Sequence, residues 1–232
     1  AGADDITMDC FNDVLTGQGE GTGWRMSTAT AQTLQGKRAG VWARDAMLWG
    51  GNLTVLCSVL GTPFFPKVKG GVLFLEDVGE HPYRIERMLS QLLHAGVLGR
   101  QKAIVFGQFS SYRLVPHDRG FKLASVVQWL RGQVRARVLT GLPFGHVPTK
   151  VLLPVGAPVS LSVDERDALG RLDDREAHPG LPDLGPPDAA GPHAHVHAGR
   201  TTGGRGRPVR SGRRGPVCGR PSLRRRHGRP RA

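Results

Sequence analysis

Apolar positions between residues 47 and 163 follow two repeats, one typical of amphipathic helices and one typical of buried strands. The helical repeat predicts helices from Leu53 to Leu60, from Pro82 to a stop at Gly96, and over residues 123–130. Apolar runs predict buried strands over residues 71–75, 103–106, 138–140 and 150–153, and strict alternation predicts another over residues 159–163. Buried strands mixed with helices indicate an α/β or α+β domain.

The two flanking regions lack such patterns. Residues 1–46 have a mixed composition with a Gly-rich stretch at 17–23, and we interpret them as loop with weak local structure. Residues 165–232 contain no Lys, Ile, Met, Phe, Tyr, Trp, Asn or Gln, so we expect too little apolar burial to offset the entropy lost on ordering. We predict that this tail is disordered, and its Arg, Gly and Pro content suggests a frameshift soon after Val163. The predicted domain therefore spans residues 47–164.

The net charge of +13 first suggests a nucleic-acid or membrane partner. However, residues 190–232 contain 12 arginines and no acidic residue, which leaves about +1 for residues 1–189. The tail has no interleaved aromatic residues for base stacking, so we expect no specific nucleic-acid partner. No apolar run approaches 18 residues and the first residues do not resemble a signal peptide, so we expect neither a membrane span nor a signal peptide. The alternating histidines at 193, 195 and 197 lack a ligand framework, and no cofactor is predicted.

Four segments of the central region carry a family resemblance. They read Leu-Trp-Gly-Gly-Asn-Leu at 48–53, Gly-Thr-Pro at 61–63, Leu-Phe-Leu-Glu-Asp at 73–77 followed by Glu-His-Pro-Tyr-Arg-Ile-Glu-Arg-Met-Leu at 80–89, and Thr-Gly-Leu-Pro-Phe-Gly-His at 140–146. In this order they resemble the LD-carboxypeptidase family of cytoplasmic serine peptidases. The resemblance covers about residues 40–163.

The resemblance implies both a fold and a catalytic apparatus. The family pairs an N-terminal α/β nucleophile domain with a barrel-like C-terminal domain containing packed helices. Residues 47–164 would be this C-terminal domain, and residues 1–46 a linker or a remnant of the nucleophile domain. The implied triad is Ser-His-Glu, with Glu76 as the acid and His146 as the base. In such a triad the imidazole takes the serine proton and the carboxylate fixes the imidazole tautomer.

Both implied catalytic residues also have a plain structural reading. From position alone, Glu76 would be a strand-end carboxylate facing water, and His146 would be an ordinary loop histidine.

The segment Trp49-Gly50-Gly51-Asn52 opens a predicted helix and leaves two alternatives. Free amides at a helix start attract anions, so this turn is a candidate for binding the terminal carboxylate of a peptide substrate. The alternative is a glycine turn and an N-cap that serve folding alone.

The nucleophile position departs from the family pattern. The family motif resembles Gly-Tyr-Ser-Asp-Ile-Thr, whereas this chain reads Gly2-Ala3-Asp4-Asp5-Ile6-Thr7, which places Asp4 at the serine position. An ionised carboxylate has no proton for a histidine to remove. Alternatively, the match is accidental and the nucleophile domain is absent. Both alternatives predict a chain that is inactive alone.

The resemblance also implies a substrate, and rival functions remain open. The implied reaction removes the terminal D-alanine from a murein tetrapeptide during peptidoglycan recycling, and a homodimer is implied as well. One rival is a microcin-immunity-type peptidase that cleaves peptidyl-nucleotide toxins. Another is a noncatalytic remnant that binds murein peptide.

Overall fold

The computed structural model describes residues 3–17, 19–26, 39–164 and 167–173, together with the backbone of 217–218. The helices are α1 (Asp5–Thr16), α2 (Leu53–Ser58), α3 (Pro82–His94) and α4 (Leu123–Gln133), with short 3-10 turns at Leu98–Arg100 and Pro116–Asp118. The strands are β1 (Gly21–Arg25), β2 (Gly40–Asn52), β3 (Val72–Val78), β4 (Ala103–Ser110), β5 (Arg137–Thr140), β6 (Pro158–Asp164), β7 (Asp167–Leu172) and β8 (Val217–Cys218).

All of these strands belong to one mixed sheet in the order β5-β4-β3-β2-β6-β7-β1-β8. Strands β2 to β5 pair in parallel, with Trp49 opposite Leu73 and Ile104 opposite Val138. The remaining pairs are antiparallel. The parallel part brings the carboxyl ends of β2, β3, β4 and β5 to one edge of the sheet.

The parallel strands are buried on both faces. On β3, Leu73 and Leu75 pack against the cluster that includes helices α2, α3 and α4, whereas Val72 and Phe74 pack into a second cluster on the other face. Successive side chains of a strand point to opposite faces, so a strand covered on both sides has a continuous apolar sequence. This explains the uninterrupted run that precedes Glu76.

The predicted α/β class is confirmed, and so are the main elements of the central region. Helices α3 and α4 and the strands β3, β4, β5 and β6 lie where the apolar repeats predict them, with β3 and β4 longer by several residues. Within the described part of the chain, no helix combines the length and the apolar character needed to cross a membrane.

Two predictions about elements are wrong. The described residues of the segment 1–46 include α1, β1 and the first half of β2, so this segment is not loop throughout. Residues 150–153 form no strand; Val151 N instead donates to Pro143 O at 2.8 Å, which fixes an extended loop.

Neither predicted domain boundary coincides with a break in the described structure. Strand β2 runs across position 46, and β7 lies beyond position 164 and pairs with β6. Residues 165–166, 174–216 and 219–232, which make up most of the predicted disordered tail, lie outside the described residues.

Candidate active site

The candidate site lies where the parallel strands end. Asn52 is the last residue of β2, Glu76 lies near the end of β3, and the loop after β5 contains His146. Ligands of open α/β sheets bind at the carboxyl ends of the strands, because loops with chemically useful side chains gather there.

The fold brings Glu76 and His146 into direct contact, although they are 70 residues apart. The Nδ1 atom of His146 lies 3.2 Å from Oε2 of Glu76. The Glu76 side chain is 7% exposed and the His146 side chain is 60% exposed. A carboxylate accepts hydrogen bonds and does not donate them, so this contact places a proton on Nδ1. The Nε2 atom then carries a free lone pair and has no hydrogen-bond partner among the described residues.

Two glycines make this contact possible. A Cβ atom on Gly145, whose φ is +129°, would lie 2.9 Å from Gln108 O and 3.0 Å from Glu76 Oε2. A Cβ atom on Gly107 would lie 2.6 Å from Phe144 O and 3.3 Å from the Glu76 Cβ. Both positions therefore let the His146 loop pack directly against β3 and β4.

Gln108 holds the His146 loop against the sheet. Its backbone N donates to Phe144 O at 2.8 Å, and its Nε2 donates to Leu142 O at 2.9 Å. Opposite Glu76, β4 contains one extra residue, because Leu75 pairs with Phe106 whereas Asp77 pairs with Phe109. Such a bulge re-aims side chains and is common beside active sites.

Asn52 connects Glu76 to a second buried carboxylate, Asp77, which is 3% exposed. The Asn52 Nδ2 donates to Glu76 Oε1 at 3.2 Å and to Asp77 Oδ1 at 2.9 Å. Asp77 Oδ2 also accepts from Thr54 N at 3.0 Å and Thr54 Oγ1 at 2.8 Å. Asn52 Oδ1 accepts from Val55 N at 3.0 Å, which makes Asn52 the N-cap of α2.

These bonds bear on the two alternatives for the turn before α2. The amides of Thr54 and Val55 are already bonded to Asp77 and Asn52, so they are not free for a substrate anion. The structure therefore favours the folding role for these amides.

Trp49 and Gly50 also have structural partners. The Trp49 side chain lies in the core, and its Nε1 donates to Gln101 Oε1 at 3.1 Å. At Gly50, a Cβ atom would lie 2.0 Å from Phe74 O. Gly51 has a φ of +138° and open space around its Cα, so substrate binding through Gly51 stays a prediction.

Asp4 is the N-cap of α1 and touches the loop that carries His146. Its Oδ1 accepts from Thr7 N at 2.9 Å, and its Oδ2 accepts from the Thr149 hydroxyl. Lys150 N donates to Thr7 Oγ1 at 3.1 Å, which adds a second link between the start of α1 and this loop. The hydrogen bond from Thr149, followed by those from Thr7, lowers the pKa of the Asp4 carboxyl below its usual value. Asp4 thus carries a structural role in addition to its predicted alignment with the nucleophile.

A cavity lies apart from this pair. It is mostly apolar and is lined by residues that include Trp24, Phe74 and Leu142, but not by Glu76 or His146. Across the residues that the structure describes, no group of three His, Cys, Asp or Glu side chains could hold a metal ion.

Comparison with known families identifies the chain. The family model described as LD-carboxypeptidase C-terminal domain matches residues 45–161, half of the chain. The chain belongs to the LD-carboxypeptidase family. The match includes both Glu76 and His146.

Individual relatives of this chain agree with the family match. A probable murein peptide carboxypeptidase of Bacillus subtilis is 34% identical over 125 residues, which cover 54% of this chain and 39% of the relative. The crystal structure of a muramoyltetrapeptide carboxypeptidase from Oxalobacter formigenes superimposes with a TM-score of 0.65 at 38% identity, covering 74% of this chain and 56% of that one.

A more distant relative is the microcin C7 self-immunity protein MccF of Escherichia coli, which is 26% identical over 119 residues, or 51% of this chain and 34% of MccF. The chain spans about two fifths of the length of the curated carboxypeptidases that it matches first.

Sequence reasoning missed several residues of the site. Asp77 enters the predicted site only as the neighbour of Glu76, and Thr54, Gln108 and Thr149 do not enter it at all. Two adjacent acids at the end of an apolar strand were a usable signal, because a second buried carboxylate needs donors nearby.

Proposed function

We propose that Glu76 and His146 are the acid and base of a serine-type LD-carboxypeptidase that removes the terminal D-alanine from a murein tetrapeptide. The observation that carries the proposal is the 3.2 Å contact between His146 Nδ1 and Glu76 Oε2 at the carboxyl edge of the parallel strands. Family membership and relatives whose names specify murein peptide support it. By the same resemblance, the reaction belongs to peptidoglycan recycling in the cytoplasm, and the protein forms a homodimer.

The pair would work by moving one proton. Glu76 holds the proton on His146 Nδ1 and orients the ring, so Nε2 can accept the proton of an attacking hydroxyl. His146 then returns this proton to the leaving amine of D-alanine. The buried carboxylate stabilises the imidazolium that exists between the two transfers.

This chain does not supply the attacking hydroxyl at position 4, which aligns with the family serine. The Asp4 carboxyl has a lowered pKa, so it is ionised at neutral pH and has no proton for His146 to take. A serine at position 4 would instead stand at the N-terminus of α1, beside the His146 loop. The chain itself is therefore proposed to bind substrate without turning it over.

Sequence identity favours a murein peptide over a microcin-type substrate. The murein and muramoyltetrapeptide carboxypeptidases are 34% and 38% identical to this chain over their matches, compared with 26% for MccF.

Release of D-alanine from murein tetrapeptide tests the proposal. We expect no release by the unmodified chain above a blank, and measurable release by the Asp4→Ser variant. Adding Glu76→Gln to that variant should lower the rate by about 10³- to 10⁴-fold, because the imidazole would be held in the wrong tautomer.

Two controls make the assay specific. His117→Ala, which removes an exposed histidine of the same edge, should leave the rate of the Asp4→Ser variant unchanged. Aspartyl sulfamoyl adenosine, which the MccF structure contains, should not compete with the tetrapeptide. Release of D-alanine by the unmodified chain would contradict the assignment of the missing hydroxyl to position 4.

A further inference from the structure

Among the residues that the structure describes, Asp77 is the one buried carboxylate at the site that the proposed reaction does not use. It lies next to Glu76 on β3, is 3% exposed, and belongs to the same hydrogen-bond network. Burying a second carboxylate is costly unless its oxygens are fully bonded. Asp77 meets this condition, because Oδ1 accepts from Asn52 Nδ2 and Val78 N, and Oδ2 accepts from the amide and the hydroxyl of Thr54.

The amide of Asn52 has only one orientation that satisfies its neighbours. Its two Nδ2 protons go to Glu76 Oε1 and Asp77 Oδ1, and its Oδ1 accepts from Val55 N. The flipped amide would place its oxygen against two carboxylates and its nitrogen against a backbone donor. Asp77 and Val55 therefore fix the direction in which Asn52 donates.

That direction in turn fixes the Glu76 carboxylate. Asn52 holds Oε1, so Oε2 faces His146 Nδ1. The carboxylate of a glutamate otherwise rotates freely about its last bond, which is a broad torsion. The close approach of Gly107 and Gly145 limits where the Glu76 side chain can go. Among the described residues, however, only Asn52 bonds to Glu76 Oε1.

We infer that Asp77 is a positioning residue that acts through Asn52 to hold Glu76 in the orientation that selects the Nδ1–H tautomer of His146. This inference rests on the proposed function of the Glu76–His146 pair. It assigns Asn52 a second task besides the cap of α2, since the same amide bridges both carboxylates.

The tautomer of His146 reports on this chain of contacts without requiring turnover. In the ¹⁵N-labelled full chain, two-bond ¹H–¹⁵N correlations distinguish protonated from bare ring nitrogens at a pH where the ring is neutral. His146→Ala identifies the resonances of His146 among the nine histidines. We expect a single Nδ1–H form in the unmodified chain, and a mixture of both tautomers in Asp77→Asn, whose single amide oxygen cannot accept from Asn52 and from Thr54 at the same time.

Thr54→Val is the matched control. It removes the hydroxyl bond to Asp77 Oδ2 but leaves the Asn52 bridge intact, so the Nδ1–H form should persist. If Asp77→Asn does not fold by circular dichroism, Asn52→Ala replaces it, because Asn52→Ala removes the bridge and keeps the bonds between Asp77 and Thr54.

The outcomes separate the two claims. An Nε2–H form in the unmodified chain would overturn the proposed pair and this inference together. A pure Nδ1–H form that persists in folded Asp77→Asn or Asn52→Ala would overturn the positioning role alone. Mixed tautomers in Thr54→Val would also overturn it, since the effect would not then run through Asn52.

Discussion

The approach of His146 to Glu76 depends on positions that carry no side chain. Gly145 immediately precedes His146, and both its positive φ and its closeness to Glu76 Oε2 exclude a larger residue without a shift of the loop. Position 145 therefore needs glycine for two reasons, the limited space beside Glu76 and the positive φ.

Gly145→Ala is expected to break the contact between His146 and Glu76. Its Cβ would lie 3.0 Å from Glu76 Oε2 and 2.9 Å from Gln108 O, so the loop must move away from β3 and β4. We expect destabilisation of about 1–3 kcal/mol in urea unfolding, from strained backbone and lost loop contacts.

Gly156→Ala controls for backbone strain. Its φ is also positive at +89°, but a Cβ there meets nothing within 4 Å. It should therefore be destabilising without changing the His146 resonances. A normal His146–Glu76 contact in Gly145→Ala would contradict the steric account.

The Asp4 carboxyl should make stability depend on pH in acid. Its pKa is lowered by hydrogen bonds from Thr149 and Thr7 in the folded state. A depressed carboxyl stabilises the fold above its unfolded value of 3.8, and this contribution is lost as the pH falls through the lower folded value.

Asp4→Asn isolates this effect, because asparagine also caps helices. The free energy of unfolding should be lower for the variant than for the unmodified chain at neutral pH. This difference between the two proteins should shrink below pH 3.8. Asp5→Asn, at the exposed acid of the same turn, controls for net charge. A difference that grows as the pH falls through this window would contradict the assigned bonds.

At the scale of elements, the short helix α2 owes its start to the site itself. Asn52 caps it, and Asp77 binds the amide and the hydroxyl of Thr54. Its inner side packs against α3, and Cys57 Sγ lies 3.6 Å from Met88 O. Burial, followed by the charge of Asp77, raises the pKa of the Cys57 thiol to about 11.

Cys57 is therefore expected to react slowly with iodoacetamide while α2 is folded. At pH 8 its thiolate fraction should be about a hundredfold smaller than that of a thiol with the ordinary value of 9.0. Peptide mapping after timed alkylation measures the rate, and the urea-unfolded chain supplies the reference. Equal rates in the folded and unfolded chains would show that α2 does not shield this thiol.

The sequence predicted those elements whose apolar residues mark a buried face. This holds for α3, α4 and the strands β3 to β6, whose repeats follow burial. It fails for α1, where Met8, Phe11 and Leu15 are exposed while Thr7 is buried, so polarity does not reveal the helix. The run at 150–153 resembles a strand because Val151 is buried, but its backbone bonds to a loop carbonyl.

At the scale of the whole molecule, one sheet contains strands from all three regions that differ in composition, residues 1–46, 47–164 and 165–232. Strand β2 contributes to both halves of the sheet, pairing with β6 along its first part and with β3 along its last part. Its final residue, Asn52, lies directly opposite Glu76. The resemblance to a family indicated Glu76 and His146, but the bridge through Asn52 and Asp77 depends on strand register and a bulge, which local patterns do not encode.

The central claim is that the fold brings a carboxylate and an imidazole together so that the carboxylate sets the ring tautomer. The most direct test is the tautomer of His146 in Glu76→Gln. Because Asn52 donates to the Oε1 side, the new amide should turn its oxygen to Asn52 and its nitrogen to His146 Nδ1. The account predicts that the proton moves from Nδ1 in the unmodified chain to Nε2 in the variant. The same tautomer in both proteins would contradict it.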